Sequence, residues 1–444
     1  MKFKFNIKHF ILTFLCGSLT LNALPQSNVQ TGQLKLRQLS EITGEDLRNI
    51  ALYAEPLDQS LRPKILVKKK AIEFFTQEGI TGNRIDFAHE FHTTFSVNEK
   101  YVTVIQKMKI PNKQENGTEK FQLFAENGTL LWQESYSTYW DVHAPVYSIS
   151  SNGNVCKTTE SMGMISFHDQ QGVKTAEHVL WPSFVRSDLQ SEWSQDGRYY
   201  AAISPHRRER LGSELRYADK LTLFNAAGAK LWEQILQDKS ASAVFISAQS
   251  KWAAVSHQDM VSRNCGVTIY STSTGETITT ITLNQFGPTH VIFTQDDENF
   301  LIKTGSHQNP RLVVYETVSS KEVFGINMSQ PILDLRILTK ENLIYILTGK
   351  SILPQNAEKR PGSENIQKPK TAQRPTLERS TAGRPKLTNI RFMVLSLNGK
   401  TLGTADLPSI EANPNMTIMI HPASTLKRLI AKANNRLILY ELDF

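Results

Sequence analysis

Three histidines occupy corresponding positions of an internal repeat, and imidazole is the side chain that most readily exchanges protons or binds metal ions near neutral pH. His206, His257 and His307 each follow the second apolar strand of successive repeat units. The residues directly after them are also polar: Arg207, Gln258 and Gln308. If the units are equivalent, these loops share one face of the fold, where they predict a binding site for a ligand, an anion or a partner. The competing interpretation, which these residue types favour, is that they are ordinary loop residues satisfying the backbone of turns.

These histidines do not predict a metal centre, and no other motif predicts catalysis. Zinc requires its ligands about 2 Å from one point, whereas loops on neighbouring units begin farther apart. His89 and His92 are three residues apart, and a metalloprotease helix needs two histidines four residues apart. The Gly-Lys-Ser and Gly-Lys-Thr triplets at 349–351 and 399–401 lack the first glycine of a phosphate-binding loop. We therefore expect no catalytic residues, no bound metal and no cofactor.

The elements that would position these residues are short β-strands. The pattern Leu-Phe-x-x-x-Gly-x-x-Leu-Trp at 123–132 recurs 100 residues later at 223–232, and it is typical of a β-hairpin. Upstream of each hairpin, an apolar residue is followed by Ser or Thr, a polar turn and a second apolar strand; residues 193–202 are the best copy. Together the two patterns give four strands per unit of roughly 40–50 residues. No sustained helical periodicity competes over residues 85–350.

Four-stranded units of this length predict an all-β protein with a β-propeller architecture over residues 71–444. We count seven four-stranded blades and expect the ring to close by pairing of the N- and C-terminal strands. Leu437–Leu442 would be the third strand of the last blade, and the segment 71–76, or the one after Gly79, would be the fourth. Because residues 74–79 resemble a complete hairpin of their own, six and eight blades remain alternatives.

Two motifs carry a resemblance to known propeller families. The turn Trp-Ser-Gln-Asp-Gly-Arg-Tyr at 193–199 resembles the Ser-Pro-Asp-Gly-Lys turn of WD-repeat-like propellers. The hairpins at Gly128–Trp132 and Gly228–Trp232 resemble the Gly-x-x-x-Trp element of pyrroloquinoline-quinone-type repeats. The chain lacks the regular Gly-His and Trp-Asp pairs of WD repeats, and most units lack the quinone-type tryptophan. The resemblance therefore implies the architecture alone, without a cofactor or a partner.

Residues 1–24 have the composition of a secretory signal peptide. Lys2, Lys4 and Lys8 precede an apolar run over 10–21 that is too short to cross a bilayer comfortably. The weaker alternatives are an uncleaved anchor and lipidation at Cys16. No later apolar run is long enough for a membrane span. We expect a secreted protein, periplasmic or extracellular, with no transmembrane span in the mature chain.

The remaining segments are assigned from composition. Residues 25–70 are predicted to form an N-terminal extension, with a short helix from Thr43 to Ala54 that Thr43 would cap. Cys156 and Cys265 fall in units that are not adjacent, so a disulfide is not expected and both are predicted to be buried free thiols.

The net charge of +8 lies in two segments outside the predicted core. The signal peptide contributes three lysines, and the insert 352–388 has eight basic and three acidic residues. The rest of the chain is neutral, which gives no electrostatic case for binding nucleic acid. The insert has five prolines and few apolar residues, so we expect it to be disordered. It is interpreted as a tolerated loop expansion or as a basic tether to an anionic polymer or lipid surface.

These features favour an exported, non-enzymatic binding or scaffold protein that presents loops to a protein or cell-envelope polymer partner. The alternative function is that of a quinone- or metal-dependent enzyme with its site in the central channel. That alternative requires inward-pointing side chains on the innermost strands, for which His89 or His92, His143 and His290 are available. The oligomeric state and the identity of the partner are left open.

Overall fold

The computed structural model of this chain consists almost entirely of β-strands. It describes residues 35–43, 49–52, 63–108, 116–139, 144–181, 189–211, 214–283, 290–306, 308–338, 343–352, 386–407, 410–411, 420–422, 428–433 and 436–443. Within these ranges the single helical element is a 3₁₀ turn, Glu160–Met162. None of the helical structure found there is long and apolar enough to cross a membrane.

The strands form eight antiparallel sheets in the described part of the chain, which we number as blades 1 to 8. Strand β1 (Lys35–Thr43) precedes blade 1. Blade 1 contains β2 Asn49–Leu52, β3 Pro63–Val67, β4 Ala71–Phe75 and β5 Thr81–Asp86. Blade 2 contains β6 Phe91–Phe95, β7 Tyr101–Met108, β8 Asn116–Ala125 and β9 Leu130–Tyr139. Blade 3 contains β10 Val146–Ile149, β11 Val155–Thr159, β12 Met164–His168 and β13 Lys174–Val179. Blade 4 contains β14 Gln190–Trp193, β15 Tyr199–Leu211, β16 Glu214–Asn225 and β17 Lys230–Gln237.

The second half of the ring repeats the same order of strands. Blade 5 contains β18 Lys239–Ile246, β19 Trp252–Asp259, β20 Cys265–Ser271 and β21 Thr277–Leu283. Blade 6 contains β22 His290–Phe293, β23 Asn299–Gly305, β24 Pro310–Glu316 and β25 Glu322–Asn327. Blade 7 contains β26 Ile332–Leu338, β27 Leu343–Ile352, β28 Lys386–Ser396, β29 Thr401–Leu407 and the short β30 Ile410–Glu411. Blade 8 contains β31 Ile420–Pro422, β32 Arg428–Ala433, β33 Arg436–Asp443 and the first strand, β1.

This arrangement confirms the predicted class, an all-β propeller of repeated antiparallel sheets. Seven sheets have four strands each, and blade 7 has a fifth strand beside β28. The described residues thus form eight blades, one more than the seven counted from the repeat and equal to the larger alternative. The additional sheet is blade 1. Its strands β4 and β5 form the hairpin that the sequence pattern around residues 74–79 indicated.

The ring closes between its terminal strands, as predicted. Strand β1 pairs antiparallel with β33, from Lys35 opposite Asp443 to Thr43 opposite Arg436. The closing strand is therefore residues 35–43 and not 71–76, because β4 is already paired on both sides within blade 1. The N-terminal extension predicted over 25–70 is corrected accordingly, since β1, β2 and β3 all lie in sheets.

Two other assignments near the chain ends have different outcomes. The helix predicted from Thr43 to Ala54 is wrong for Asn49–Leu52, which pairs as a strand with residues 63–67. The signal peptide 1–24 lies outside the described residues, as does most of the insert 352–388, which connects β27 to β28. Both stay predictions.

The core lies between adjacent blades, because each sheet buries apolar side chains on both faces. Phe167 of blade 3 shows this best. Its ring lies 5.5 Å from Tyr200 and 5.2 Å from Phe224, both in blade 4. Cys156 is fully buried in the same interface, whereas Cys265 is partly exposed. Both are free thiols, so the prediction of buried thiols holds for Cys156 alone.

One end of the ring is built from short turns of four or five residues in blades 2 to 6, and we name it the turn face. In these blades it holds the connections from first to second and from third to fourth strand. At 194–199 the Ser194 hydroxyl accepts a hydrogen bond from Tyr199 N–H at 2.9 Å and donates one to Asp196 at 2.7 Å. Gly197 has φ +71°, which favours glycine there. The opposite end, which holds the second-to-third and blade-to-blade connections, is the loop face.

Candidate functional site

Five of the six residues predicted to bind a ligand are described, and these lie near the loop face in different environments. His206 is exposed in β15, at a bulge between Pro205 and Arg207. His257 is buried within β19, with 5% of its surface exposed. Gln308 is exposed after β23, and His307 lies outside the described residues. Strands β15 and β19 run on past the positions where the repeat predicted loops, so His206, Arg207, His257 and Gln258 are strand residues.

The surroundings of His257 are those of a core side chain. Its Nε2 lies 2.8 Å from Thr268 Oγ1, a hydrogen-bonding distance, while its Nδ1 has no hydrogen-bond partner. Burial is the largest cause that lowers the pKa of His257 to about 4. The imidazole is consequently neutral near pH 7. Gln258, next to it, is exposed and donates a long bond to the Arg263 carbonyl at 3.4 Å. A ligand-binding role for the six residues stays a prediction.

The innermost strands of neighbouring blades contact one another from β6 through β10, β14, β18, β22 and β26 to β31. His92 is exposed on β6 and His290 on β22, whereas His143 falls outside the described residues. The His290 ring packs edge-on against Phe245 at 5.5 Å. Across the described ranges, His, Cys, Asp and Glu side chains form no group of three or more that could hold a metal ion.

Glu192 is an inner-strand acid that sequence reasoning missed. It lies on β14, and burial raises the pKa of its carboxyl group to about 8, against a smaller lowering by a backbone hydrogen bond from Ile246. The corresponding positions of blades 2 and 3 are Thr94 and Ser148, one residue before Phe95 and Ile149. Aligning the repeat units would have identified Glu192 as an acidic residue where blades 2 and 3 have hydroxyl side chains; the other charged residue at this position is Arg336 in blade 7.

A second missed feature is a polar network between blades 2 and 3. Glu134 of β9 accepts hydrogen bonds from Lys157 Nζ at 2.8 Å and from the Tyr147 hydroxyl. The Lys157 ammonium group also lies 5.7 Å from the centre of the Tyr147 ring. Burial and the Glu134 carboxylate raise the pKa of Tyr147 well above its usual value. These residues come from three strands of two blades, which no sequence spacing reveals.

A cavity of about 340 Å³ lies beside this network, on the outer strands of blade 3. Six of its eight lining residues are polar or charged, among them Lys157, Ser166, His168, Lys174 and Glu177. The charges are paired, since Lys157 contacts Glu134 and Lys174 lies 3.0 Å from Glu177. The charged groups around the cavity thus already have partners within the protein, as in an ordinary polar contact between blades.

The loop face differs in height from blade to blade. In blade 3, β11 and β12 have five residues each and are joined by the tight turn Glu160–Met162. In blade 2, β8 and β9 have ten residues each. In blade 4, β15 has thirteen residues and β16 twelve. Strand β14 pairs with β15 only as far as Ile203, and β17 pairs with β16 only as far as Ala218. From there to the tip at the loop face, β15 and β16 pair only with each other and form a two-stranded ribbon.

Comparison with solved structures identifies the fold as that of WD40 propellers. The C-terminal WD40 domain of Sif2 matches with a TM-score of 0.50 at 8% identity, over 92% of this chain and 99% of that one. Sqt1 from Chaetomium thermophilum matches with a TM-score of 0.51 at 10% identity, over 92% of this chain and 99% of that one. At such identities the likeness shows the fold alone. No family model and no curated protein sequence matches the chain.

Proposed function

We propose that this protein is a binding scaffold that holds a protein partner on the loop face of its propeller. The observation that carries the proposal is the contrast between the two faces. Hydrogen bonds between blades join the turn face, whereas the loop face has strand extensions and connections of very unequal length. Binding residues are commonly found on loops that a rigid framework positions.

The hydrogen bonds of the turn face supply such a framework. Side chains of one blade donate to turn carbonyls of the next: Asn98 to Ser151 at 2.8 Å, Asn152 to Asp196 at 2.9 Å, and Arg198 to Gln249 at 3.1 Å. A face whose polar groups are used in this way has few left for a partner. Both faces expose single apolar side chains, among them Met162 (51%) and Val261 (79%) on the loop face and Val97 (60%) and Val318 (69%) on the turn face. The contrast between the faces therefore lies in their polar groups and in the unequal connections of the loop face.

Site-specific photo-crosslinking tests the proposal. The photoreactive residue benzoylphenylalanine would replace Met162 or Val261 on the loop face, and Val97 or Val318 on the turn face. All four positions are more than half exposed, so the chain should fold in each case. In cells that make the protein, we expect covalent adducts with another protein from the two loop-face positions. Equal yields from both faces, or adducts from the turn face alone, would overturn the proposal.

We further propose that the scaffold works outside the cytoplasm, on a protein or polymer of the cell envelope. The support is the composition of residues 1–24, with lysines before a short apolar run. Cell fractionation followed by N-terminal sequencing tests it. We expect a periplasmic or secreted chain that begins near residue 24, and a cytoplasmic chain that retains Met1 would contradict export.

A further inference from the structure

Strand β21 (Thr277–Leu283) differs from the other outer strands of the ring in its chemistry. At the rim, each blade ends in one strand whose outer edge pairs with no other described strand: β5, β9, β13, β17, β21, β25, β29 and β1. Seven of these eight strands contain at least one Asp, Glu, Lys or Arg. The sequence of β21, Thr-Ile-Thr-Thr-Ile-Thr-Leu, contains none.

Charged side chains on an edge strand oppose pairing with another chain, because an added strand would remove part of their contact with water. Lys174 on β13 and Glu233 on β17 are examples, with 54% and 41% of their side chains exposed at the rim. Strand β21 lacks such charges, and its Thr and Ile residues favour the extended conformation. Its outer edge therefore lacks the usual barrier to the addition of a further strand.

The side chains of β21 are arranged as an added strand would require. Thr280 and Thr282 are exposed, whereas Ile281 is 8% exposed and packs in the interface with blade 6. The Thr280 hydroxyl also lies 3.2 Å from the hydroxyl of Thr268 on β20, so a pair of threonines already crosses the sheet. Because such cross-strand pairs stabilise antiparallel sheets, a strand with threonines at these positions would extend the row.

The strand that fits this edge best is β21 of a second copy of the chain. Two identical edges that pair antiparallel are related by a two-fold axis, which gives a closed dimer and not an open row of subunits. The axis is perpendicular to the sheet, so residues on one face of β21 lie beside residues of the same face in the partner strand. Thr280 and Thr282 are thus brought close to the same two threonines of the other copy. No like charges meet in this pairing, because neither strand carries any.

The size of the contact sets its strength. Seven residues at about 3.3 Å each give an edge about 23 Å long, and a sheet layer about 10 Å thick gives roughly 230 Å² on each partner. Stable complexes bury about 800 Å² on each partner. The pairing is therefore reversible, and the fraction of dimer depends on protein concentration.

We propose that β21 is a dimerisation edge, at which two copies of the chain join their blade 5 sheets into one continuous antiparallel sheet. The pairing reverses the strand direction, so the two rings lie side by side with their loop faces pointing in opposite directions. Both loop faces stay accessible to a partner. The inference therefore goes beyond the proposed function and does not depend on it.

Sedimentation velocity of the purified full chain over a range of concentrations tests the proposal. We expect a rapid equilibrium between monomer and dimer in which the dimer increases with concentration. The variant Thr280→Lys, Thr282→Lys should stay monomeric throughout, because lysines of the two copies would lie beside each other. The matched control is Thr175→Lys, Val179→Lys, which adds the same charges at two exposed positions of β13. Its dimerisation constant should lie within about twofold of that of the wild type.

A charge-reversed variant separates loss of pairing from loss of folding. Thr280→Glu, Thr282→Glu should also be monomeric by itself, but mixing it with the lysine variant should restore dimers, since opposite charges then lie across the edge. Restored pairing requires that both proteins are folded. A wild type that is monomeric at every concentration, a dimer that the lysines leave unchanged, or a mixture that stays monomeric would overturn the proposal. Equal loss of dimers in the β13 control would do so as well.

Discussion

The turn face and the loop face of this propeller are held together by different kinds of contact. On the turn face of blades 2 to 6, short turns repeat one local pattern, and hydrogen bonds join the turns of neighbouring blades. On the loop face, the strand pairs end at different heights, and the bonds of the longest pair are internal to it. Under the proposed function, this difference separates stability and binding along the blade axis. Disrupting the turn face should destabilise the ring, and altering the loop face should change only what it binds.

The largest effect is expected from Asp297→Ala on the turn face. Asp297 belongs to the first turn of blade 6 and is 2% exposed. Its carboxylate accepts hydrogen bonds from three groups of blade 5: Ser247 Oγ at 2.6 Å, Gln249 N–H at 3.1 Å and Lys251 N–H at 3.3 Å. Alanine leaves these donors without their acceptor, which should lower the free energy of unfolding by about 3–5 kcal/mol. Urea denaturation measures it.

The control for that prediction is a carboxylate on the loop face. Asp259 accepts bonds from Val261 N–H and Ser262 N–H within a single turn of blade 5. Asp259→Ala should cost only about 0.5–1.5 kcal/mol, because the freed donors are accessible to water. Equal losses in the two variants would remove the distinction between the faces.

The next effect in size is expected from Gly228→Ala. Gly228 has φ +85°, and a Cβ atom there would lie 2.4 Å from Phe167 Cδ2 in blade 3. The left-handed backbone and the steric conflict together should lower the free energy of unfolding by about 2–4 kcal/mol. Gly82→Ala is the matched control, since its Cβ would meet nothing closer than 3.7 Å. Thermal unfolding of both proteins checks the prediction, and a control as unstable as Gly228→Ala would contradict the explanation.

A smaller effect is expected from Glu192→Gln, and it depends on pH. The pKa of Glu192 is raised by burial to about 8 in the folded chain, above the value of 4.5 that the carboxyl group has without burial. Below pH 4.5 the group is protonated in both states, so its contribution to stability is fully present. As pH rises towards 8, the unfolded state loses the proton first and stability falls. Glutamine removes this dependence and should stabilise the protein by about 1–3 kcal/mol at pH 8.

Urea denaturation at pH 5 and pH 8.5 measures this effect. The comparison variant is Glu233→Gln, in which an exposed carboxylate paired with Lys230 is lost. The pKa of Glu233 is lowered, chiefly by its hydrogen bond from Lys230, so that variant should not gain stability at high pH. Parallel pH profiles for wild type and Glu192→Gln would mean that the carboxyl group is not buried in the folded ring.

The turn face was easier to predict from the sequence than the rest of the ring. The turn at 194–199 was recognised because all its determinants are local: Ser194 and Asp196 bind the turn backbone, and Gly197 supplies the positive φ. Strand β1 was missed because its partner β33 lies at the other end of the chain. Its apolar residues Leu36, Leu39 and Ile42 are three apart in the sequence, which does not match the two-residue period of a strand, and its pairing has a register shift between Gln38 and Ser40.

The surroundings of the candidate residues could not be predicted for a related reason. The repeat predicted loop positions for His206 and His257 because it could not give the length of each hairpin. Pairing in blade 5 continues to Gln258 opposite Cys265, which buries His257 inside the sheet. The network of Glu134, Tyr147 and Lys157 depends on the packing of two blades and leaves no periodic signal in the sequence.

The smallest effect on stability is expected from shortening the ribbon of blade 4. Arg207 lies opposite Ala218 in the register, so replacing residues 208–217 with Asn-Gly would join that pair by a two-residue hairpin turn. The removed pairs lie only between β15 and β16, and a shorter loop also costs less entropy to close. The free energy of unfolding should therefore change by less than about 1 kcal/mol. The yield of loop-face crosslinks to a partner protein, by contrast, should fall, because the longest extension of that face is gone. A ring that unfolds without its ribbon would show that the loop face also carries stability, and the separation of the two faces would fail.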